Sequence, residues 1–396
     1  MNHKLLPIAA LCATMAACNS NTETALPTSV VLPGTVDNEA FVSNVESISV
    51  MNLQMDDKWS ISDKQKLAFG DNYTYLFVTG DFELLCFDNQ TGEKISGRAI
   101  RGNGPGEITF LSTMFCIGDT LFVYDSHRVL GQYNHKCAFL GKKCELNESF
   151  MNYRLLRLGN GDYAMIKLAD AIPDTALLMT DNQFNVKSKH FTTQQTSIFV
   201  FPGAAPTYYT NNDTVRLFIM FDDHLYTVYG DTEQSLEFVL PNSLTSKIAN
   251  EKMYSGNFNP YDYDGNYSGL GESGRFITFQ YRCDKMQYCL LLDKHTYNVV
   301  SINLDEDLED SAVGFIIKLI KNAEVFQTDA KYLYAGCKNS QMAEILEGHD
   351  DLLDARLKKT QAEYRAYLER NADYIKGLEP DERDAATVLL KIKLKD

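Results

Sequence analysis

The chain has 396 residues, with 37 Lys and Arg against 53 Asp and Glu, a formal net charge of −16. That balance argues against nucleic acid or another polyanion as partner, since a phosphate backbone needs a basic face to neutralise it. Residues Leu5 to Ala17 form an apolar run behind His3 and Lys4. It is of secretory rather than membrane-spanning length, and it predicts a signal peptide over residues 1–17. No other stretch approaches the ~20 apolar residues that cross a bilayer as a helix. Removing the signal takes away Lys4 and leaves 36 basic against 53 acidic residues, a net of −17.

The run ends Met15-Ala16-Ala17-Cys18. Two small residues before a cysteine resemble the lipobox of bacterial lipoproteins, with Met15 standing where that pattern prefers Leu. The resemblance implies that the Cys18 thiol is acylated and that Cys18 becomes the mature N-terminus. It also implies a cell-envelope protein held to the outer membrane by lipid, on its periplasmic or its surface face. Residues 18–38 are rich in Asn, Thr, Ser and Pro and read as the lipidated cysteine followed by a flexible linker.

From residue 39 onward the text is short β-rich runs at roughly ten-residue spacing. Tyr73–Val78, Glu83–Phe87, Thr120–Tyr124, Val215–Met220, His224–Tyr229, Tyr288–Leu292 and Lys331–Tyr334 are dense in aromatic and branched residues. About two dozen such strands exceed one sandwich and approach six four-stranded blades. Apolar strands end in Asp at Asp88 and Asp125, and a turn such as Asn89-Gln-Thr-Gly92 then reverses the chain. The Leu84–Ile95 run followed by Arg101-Gly-Asn-Gly-Pro-Gly-Glu107 is similar to the strand pair and turn of six-bladed β-propeller lipoproteins, relatives of NHL and TolB-type propellers. Asp222–Asp231 and Asp384–Lys395 resemble later strands of the same family. The resemblance implies an all-β, six-bladed propeller over residues 39–396, whose first and last strands share one blade. Val45–Leu53 and Thr387–Leu394 are the strand-like segments available for that closure.

One segment reads as helical. Ile345, Leu346, Leu353, Leu357, Tyr364, Leu368 and Ile375 form a single apolar stripe, and Gly377 with Pro380 ends it. The expectation is a helical insertion over 341–377, lying across the propeller before a closing strand at 386–394.

Candidate sites are few. Arg101 and Glu107 flank a glycine-rich turn and could face the central channel as ligand contacts, or could form a structural ion pair between blades. The 254–274 stretch places Tyr261, Tyr263 and Tyr267 among Asp, Asn and Gly, a composition suited to a glycan or peptide. Asp262, Asp264 and Asn266 have calcium-loop spacing, but Tyr267 and Ser273 occupy the positions where that loop needs Gly and Glu. Cys137 and Cys144 flank Leu140-Gly141, and a hairpin turning there permits a cross-strand disulfide; the alternative is two separately buried thiols. Nothing in the sequence implies a cofactor. The functional expectation is an envelope propeller that binds a glycan, a peptide or an envelope protein. The alternatives are a metal-dependent propeller hydrolase or lyase, and a structural subunit of an envelope complex.

Overall fold

A computed structural model describes residues 27–55, 65–125, 128–146, 153–167, 175–192, 207–219, 222–245, 248, 251–252, 259, 262–322, 324–328 and 331–396. Cys18 and the signal segment lie outside these residues, as does Tyr261. Six sheets follow one another along the chain. Four consecutive antiparallel strands make blade 1 (Gln65–Phe69 to Lys94–Ala99), blade 2 (Leu111–Ile117 to Phe139–Glu145) and blade 3 (Tyr153–Arg157 to Val186–Thr192). Blade 4 (Thr207–Asn211 to Thr232–Val239) and blade 5 (Gly265–Glu272 to Val299–Asn303) repeat the pattern. Blade 6 takes Glu324–Thr328, Leu333–Lys338 and Thr387–Leu394 from the C-terminal part, and Val45–Val50 from the N-terminal part as its outermost strand. The ring therefore closes by pairing the first long strand with the last. Closure gives blade 6 its fourth strand, and each blade keeps only the outer edge of its last strand.

The first strand of each blade lies against the first strand of the next, by backbone proximity at five junctions and through Arg154 on the Tyr208 ring between blades 3 and 4, so these six strands line the axis. Blades 1 to 5 run outward in chain order through four strands, and blade 6 does so for three before Val45–Val50 completes it. The core is not central but divided into the seams between blades. Tyr75 and Phe77 pack toward blade 2, while Leu76 and Val78 pack toward blade 6. A strand buried on both faces reads as a continuous apolar run, which is why Tyr75–Val78 does not alternate. Outer strands do alternate; Lys94–Ala99 is half-buried and exposed in turn.

The strand-end aspartates act as the sequence suggests. Asp88 Oδ1 accepts from the amides of Gln90 and Thr91, both at 2.8 Å, and Gly92 follows at φ +73°. Asp293 makes the same turn in blade 5, and in blade 3 Asp181 accepts instead from the amides of Gln183 and Asn185. Neighbouring blades are clasped at the turn after the inner strand. Asn72 donates to Asp119 from its backbone and side chain at 2.7 Å, and Asn160 N donates to Asp213 at 2.7 Å.

Two expectations need correction. Part of the linker is built into the ring: Ser29–Val31 adds a parallel fifth strand to blade 4 and Thr35–Val36 one to blade 5. The unpaired edges of those outer strands give an extended segment carrying Val30, Leu32 and Val36 somewhere to bond. Leu32 is buried between them. Second, the Cys137–Cys144 disulfide is absent, and both thiols are free. The hairpin turns at Asn134–Ala138, held by Asn134 Oδ1, and bulges carry Cys144 opposite Leu130. Cys137 lies in the turn itself, and the Ser96 hydroxyl, not a second sulfur, stands beside it and donates to its Sγ at 3.1 Å.

The expected helical insertion before the closing strand is present, as a group of helices, and it has a companion. α1 (Asn38–Ser43) precedes the ring and α2 (Ala312–Asn322) joins blades 5 and 6. Between the second and third strands of blade 6 lie α3 (Asn339–Leu346), α4 (Ala355–Arg370), α5 (Ala372–Gly377) and α6 (Pro380–Ala385). Pro380 begins α6 rather than merely ending a helix, because proline suits the first helical position. The apolar stripe is buried: Leu357, Tyr364 and Tyr367 pack with Val45, Ile48 and Leu390 in one cluster. Asn371, 2 % exposed, accepts from Met55 N at 2.7 Å and donates to the carbonyls of Leu53 and Tyr367 at 3.0 Å. The helices thus cover blade 6 and fasten the N-terminal strand into it.

Candidate functional site at the axis

At one level of the channel, three of the inner strands carry large polar side chains. Lys66, Arg154 and Tyr208 are each the second residue of their inner strand, in blades 1, 3 and 4. In blade 2 the pairing of Leu111–Ile117 slips between Leu111 and Thr113, so Ser112 falls in a bulge. A bulged residue is released from the ladder, and its carbonyl becomes available to other donors. Lys66 Nζ donates to that carbonyl at 3.2 Å and to Leu111 O at 3.4 Å. Arg154 Nη1 donates to the same Ser112 oxygen at 3.3 Å, and its guanidinium lies 5.8 Å from the Tyr208 ring centre. Arg154 Nε is buried with no hydrogen-bond partner.

Two cations therefore meet over one neutral oxygen. Burial first, and the Arg154 charge second, lower the Lys66 ammonium to about 7. Burial keeps the Tyr208 hydroxyl protonated well into the basic range. Arg128 and Arg383 likewise bond only carbonyls among the described residues, whereas other half-buried cations there have acids. Arg216 and Lys294 both bond Glu272 at 2.7 Å, Arg356 bonds Asp354, and Lys393 bonds Glu46. Glu272 ends the inner strand of blade 5 and is 3 % exposed. Burial pushes its carboxyl up, but the bonds from Arg216 and Lys294 outweigh this and hold it below the usual carboxylate range.

The sequence-nominated residues fall elsewhere. Arg101 and Glu107 are both exposed, in the connection from blade 1 to blade 2. Arg101 stacks on Phe82 at 5.0 Å, and Glu107 Oε2 accepts from Gly104 N at 2.9 Å. The two side chains do not pair, so the expected ion pair is replaced by a loop cap. Gly102 (φ +147°) and Gly106 (φ +76°) are needed there, because a Cβ would meet Glu107 or Phe139 within 2.5 Å. A recess of about 390 Å³ opens between this loop and the outer part of blade 2.

Tyr267 is spent on packing: its ring stacks on Phe218 at 4.1 Å and its hydroxyl donates to Asp223 at 2.8 Å. Tyr263 lies against Lys252, whose Nζ is 5.4 Å from the ring centre. The calcium reading of Asp262, Asp264 and Asn266 fails on orientation. Asp264 is buried and gives its two oxygens to the amides of Asn242 and Asp284, at 2.9 and 2.8 Å, whereas Asp262 and Asn266 are exposed. Among the described residues no three His, Cys, Asp or Glu side chains are grouped to share a metal ion.

The axial residues carry no local motif. Lys66, Ser112, Arg154 and Tyr208 are spread over more than 140 positions and converge only because equivalent strand positions meet at one level of the ring. A repeat alignment of the inner strands, not a search for spacing, is the signal that would have found them.

Fold and axis together define a ring-closed, six-bladed β-propeller whose inner strands present charged groups to the channel. The chain belongs to the DUF5128 family, a 6-bladed beta-propeller, which it matches over residues 18–327. A protein of Bacteroides fragilis described as exported has a similar fold. Its TM-score is 0.65 at 19% identity, over 94% of this chain and 100% of that one. A member of the DUF4221 family from Bacteroides vulgatus is similar at a TM-score of 0.49 and 10% identity, over 89% of this chain and 98% of that one. No curated protein matches the sequence.

Proposed function

We propose that this protein is an exported, lipid-anchored propeller that binds a ligand at the axial cluster of Lys66, Arg154 and Tyr208. The observation that carries this reading is the pair of cations sharing the Ser112 carbonyl. Holding two partly buried positive charges together opposes folding, and function is the usual reason such an arrangement persists. Export is supported by the apolar run to Ala17 and by the described export of the Bacteroides fragilis protein of similar fold. The anchor is supported by the Met15-Ala-Ala-Cys18 pattern alone.

Each half has its test. Cys18→Ser should move the protein from the membrane to the soluble fraction; a variant that stays with the membrane refutes the anchor. A thermal-shift screen of residues 27–396 against small acids, neutral sugars and short peptides should give a stabilising ligand. A site filled at a hundred times its Kd adds about 2.7 kcal/mol. That shift should disappear in Arg154→Met; hits indifferent to Arg154 would place binding away from the axis.

A further inference from the structure

We propose that the axial cluster is a carboxylate site, in which Lys66 and Arg154 together take a small ligand bearing a single acid group. This inference rests on the reading of the axis as the binding site and adds the chemistry of what enters it.

The donors at the axis are under-used. An ammonium has three N–H groups and a guanidinium five. Among the described residues Lys66 reaches two carbonyls, at 3.2 and 3.4 Å, and Arg154 reaches one carbonyl, at 3.3 Å, and the Tyr208 hydroxyl. Charged donors meeting a carboxylate sit at about 2.7–2.9 Å, and that is the distance at the buried acid of the neighbouring seam: 2.7 Å for Arg216 and Lys294 on Glu272. The axis thus holds long contacts to neutral oxygens where its neighbour seam holds short ones to an acid. The unpartnered Nε–H of Arg154 is a further donor with nothing to bond. A carboxylate between the two side chains supplies acceptors to both and removes their mutual repulsion.

Charge limits what that acid group belongs to. The chain carries −16 overall, a field that opposes a polyanion at long range. Within a screening length of about 8 Å, the two cations govern instead. A single carboxylate on a small body gains the local attraction without meeting the full repulsion. A phosphate monoester brings more charge and is the less favoured anion.

The cluster also links binding to protons. Among the described residues Arg154 is the charged group that acts on Lys66; Ser112 offers a neutral carbonyl, and the Tyr208 hydroxyl stays protonated. Lys66 sits near 7 when no acid is bound. A bound carboxylate favours the ammonium, so above that value binding takes up a proton, and affinity falls by up to about tenfold per pH unit. Below it the ammonium is already formed and affinity is flat.

Titration calorimetry of residues 27–396 with acetate, glucuronate, glucose and inorganic phosphate at pH 6 and pH 8.5 tests this. Acetate or glucuronate should bind at pH 6 and weaken about tenfold or more at pH 8.5, while glucose gives no heat. Lys66→Met should weaken the acid and abolish the pH dependence. It should leave the melting temperature unchanged or raised, because it removes a desolvated charge. Neither acid binding, phosphate binding more tightly than both, or acid binding that ignores pH and Lys66 would each overturn the carboxylate site. If a neutral ligand then binds in an Arg154-dependent way, the axial reading survives this failure; if no ligand does, both fall.

Discussion

Replacing Glu272 by alanine is expected to lower the stability of the protein by about 3–5 kcal/mol, one of the largest effects available to a single side chain here. Glu272 is 3 % exposed and joins blade 4, through Arg216, to the turn of blade 5 that carries Lys294. Without it the two cations, themselves mostly buried, face each other with no acid between them. Breaking a buried pair costs more than the pair is worth, because the remaining charge stays desolvated. Chemical denaturation of the variant beside Glu272→Gln checks this, since the amide keeps some of the bonds and should lose less. A loss below 1 kcal/mol for the alanine variant would mean that water reaches the seam. The same residue sets an acid limb. Its folded pKa is depressed, so its stabilisation is complete above the unfolded value of about 4.3. It fades as pH falls through the lower folded value. The alanine variant should lack that part of the acid sensitivity.

Truncation after Ala386 should abolish cooperative folding. The missing strand, Thr387–Leu394, bonds Leu333–Lys338 on one side and Val45–Val50 on the other. Val388, Leu389, Leu390, Ile392 and Leu394 on it are all buried. At about 1.5–3 kcal/mol for each buried apolar side chain, the loss is on the order of 10 kcal/mol, comparable with the whole net stability of a typical domain. It also opens the ring and exposes two strand edges, so aggregation should accompany it. The milder Leu390→Ala should cost about 2–5 kcal/mol. A truncated chain that melts cooperatively near the parent temperature would show that the helices alone close blade 6.

The architecture was legible because a propeller blade repeats itself. Runs such as Tyr73–Val78 are apolar without alternation, as strands between two seams must be, and Asp88-Asn-Gln-Thr-Gly92 gave its turn away through residue chemistry. The closing strand was legible for the same reason. α2 was not. Phe315, Ile316, Ile317 and Leu319 form an aromatic and branched run that reads equally as a buried strand. The missed sign was Ser311, whose Oγ accepts from Gly314 N at 3.1 Å in the manner of a helix cap. The Cys137–Cys144 pairing failed because the turn was centred on Leu140-Gly141, whereas Asn134 nucleates it earlier. Loop chemistry drew the sequence reading toward Arg101–Glu107 and 254–274, and there the structure finds a capped turn and, in Tyr267, a packing residue. The axial residues escaped because convergence across blades is a property of the ring.

The most direct test of the axial account is hydrogen exchange with and without the ligand that stabilises the protein most. Protection should concentrate in the inner strands Gln65–Phe69, Leu111–Ile117, Tyr153–Arg157 and Thr207–Asn211, around Lys66, Ser112, Arg154 and Tyr208. Protection centred on the Arg101–Glu107 loop or on α4, with the inner strands unchanged, would contradict it.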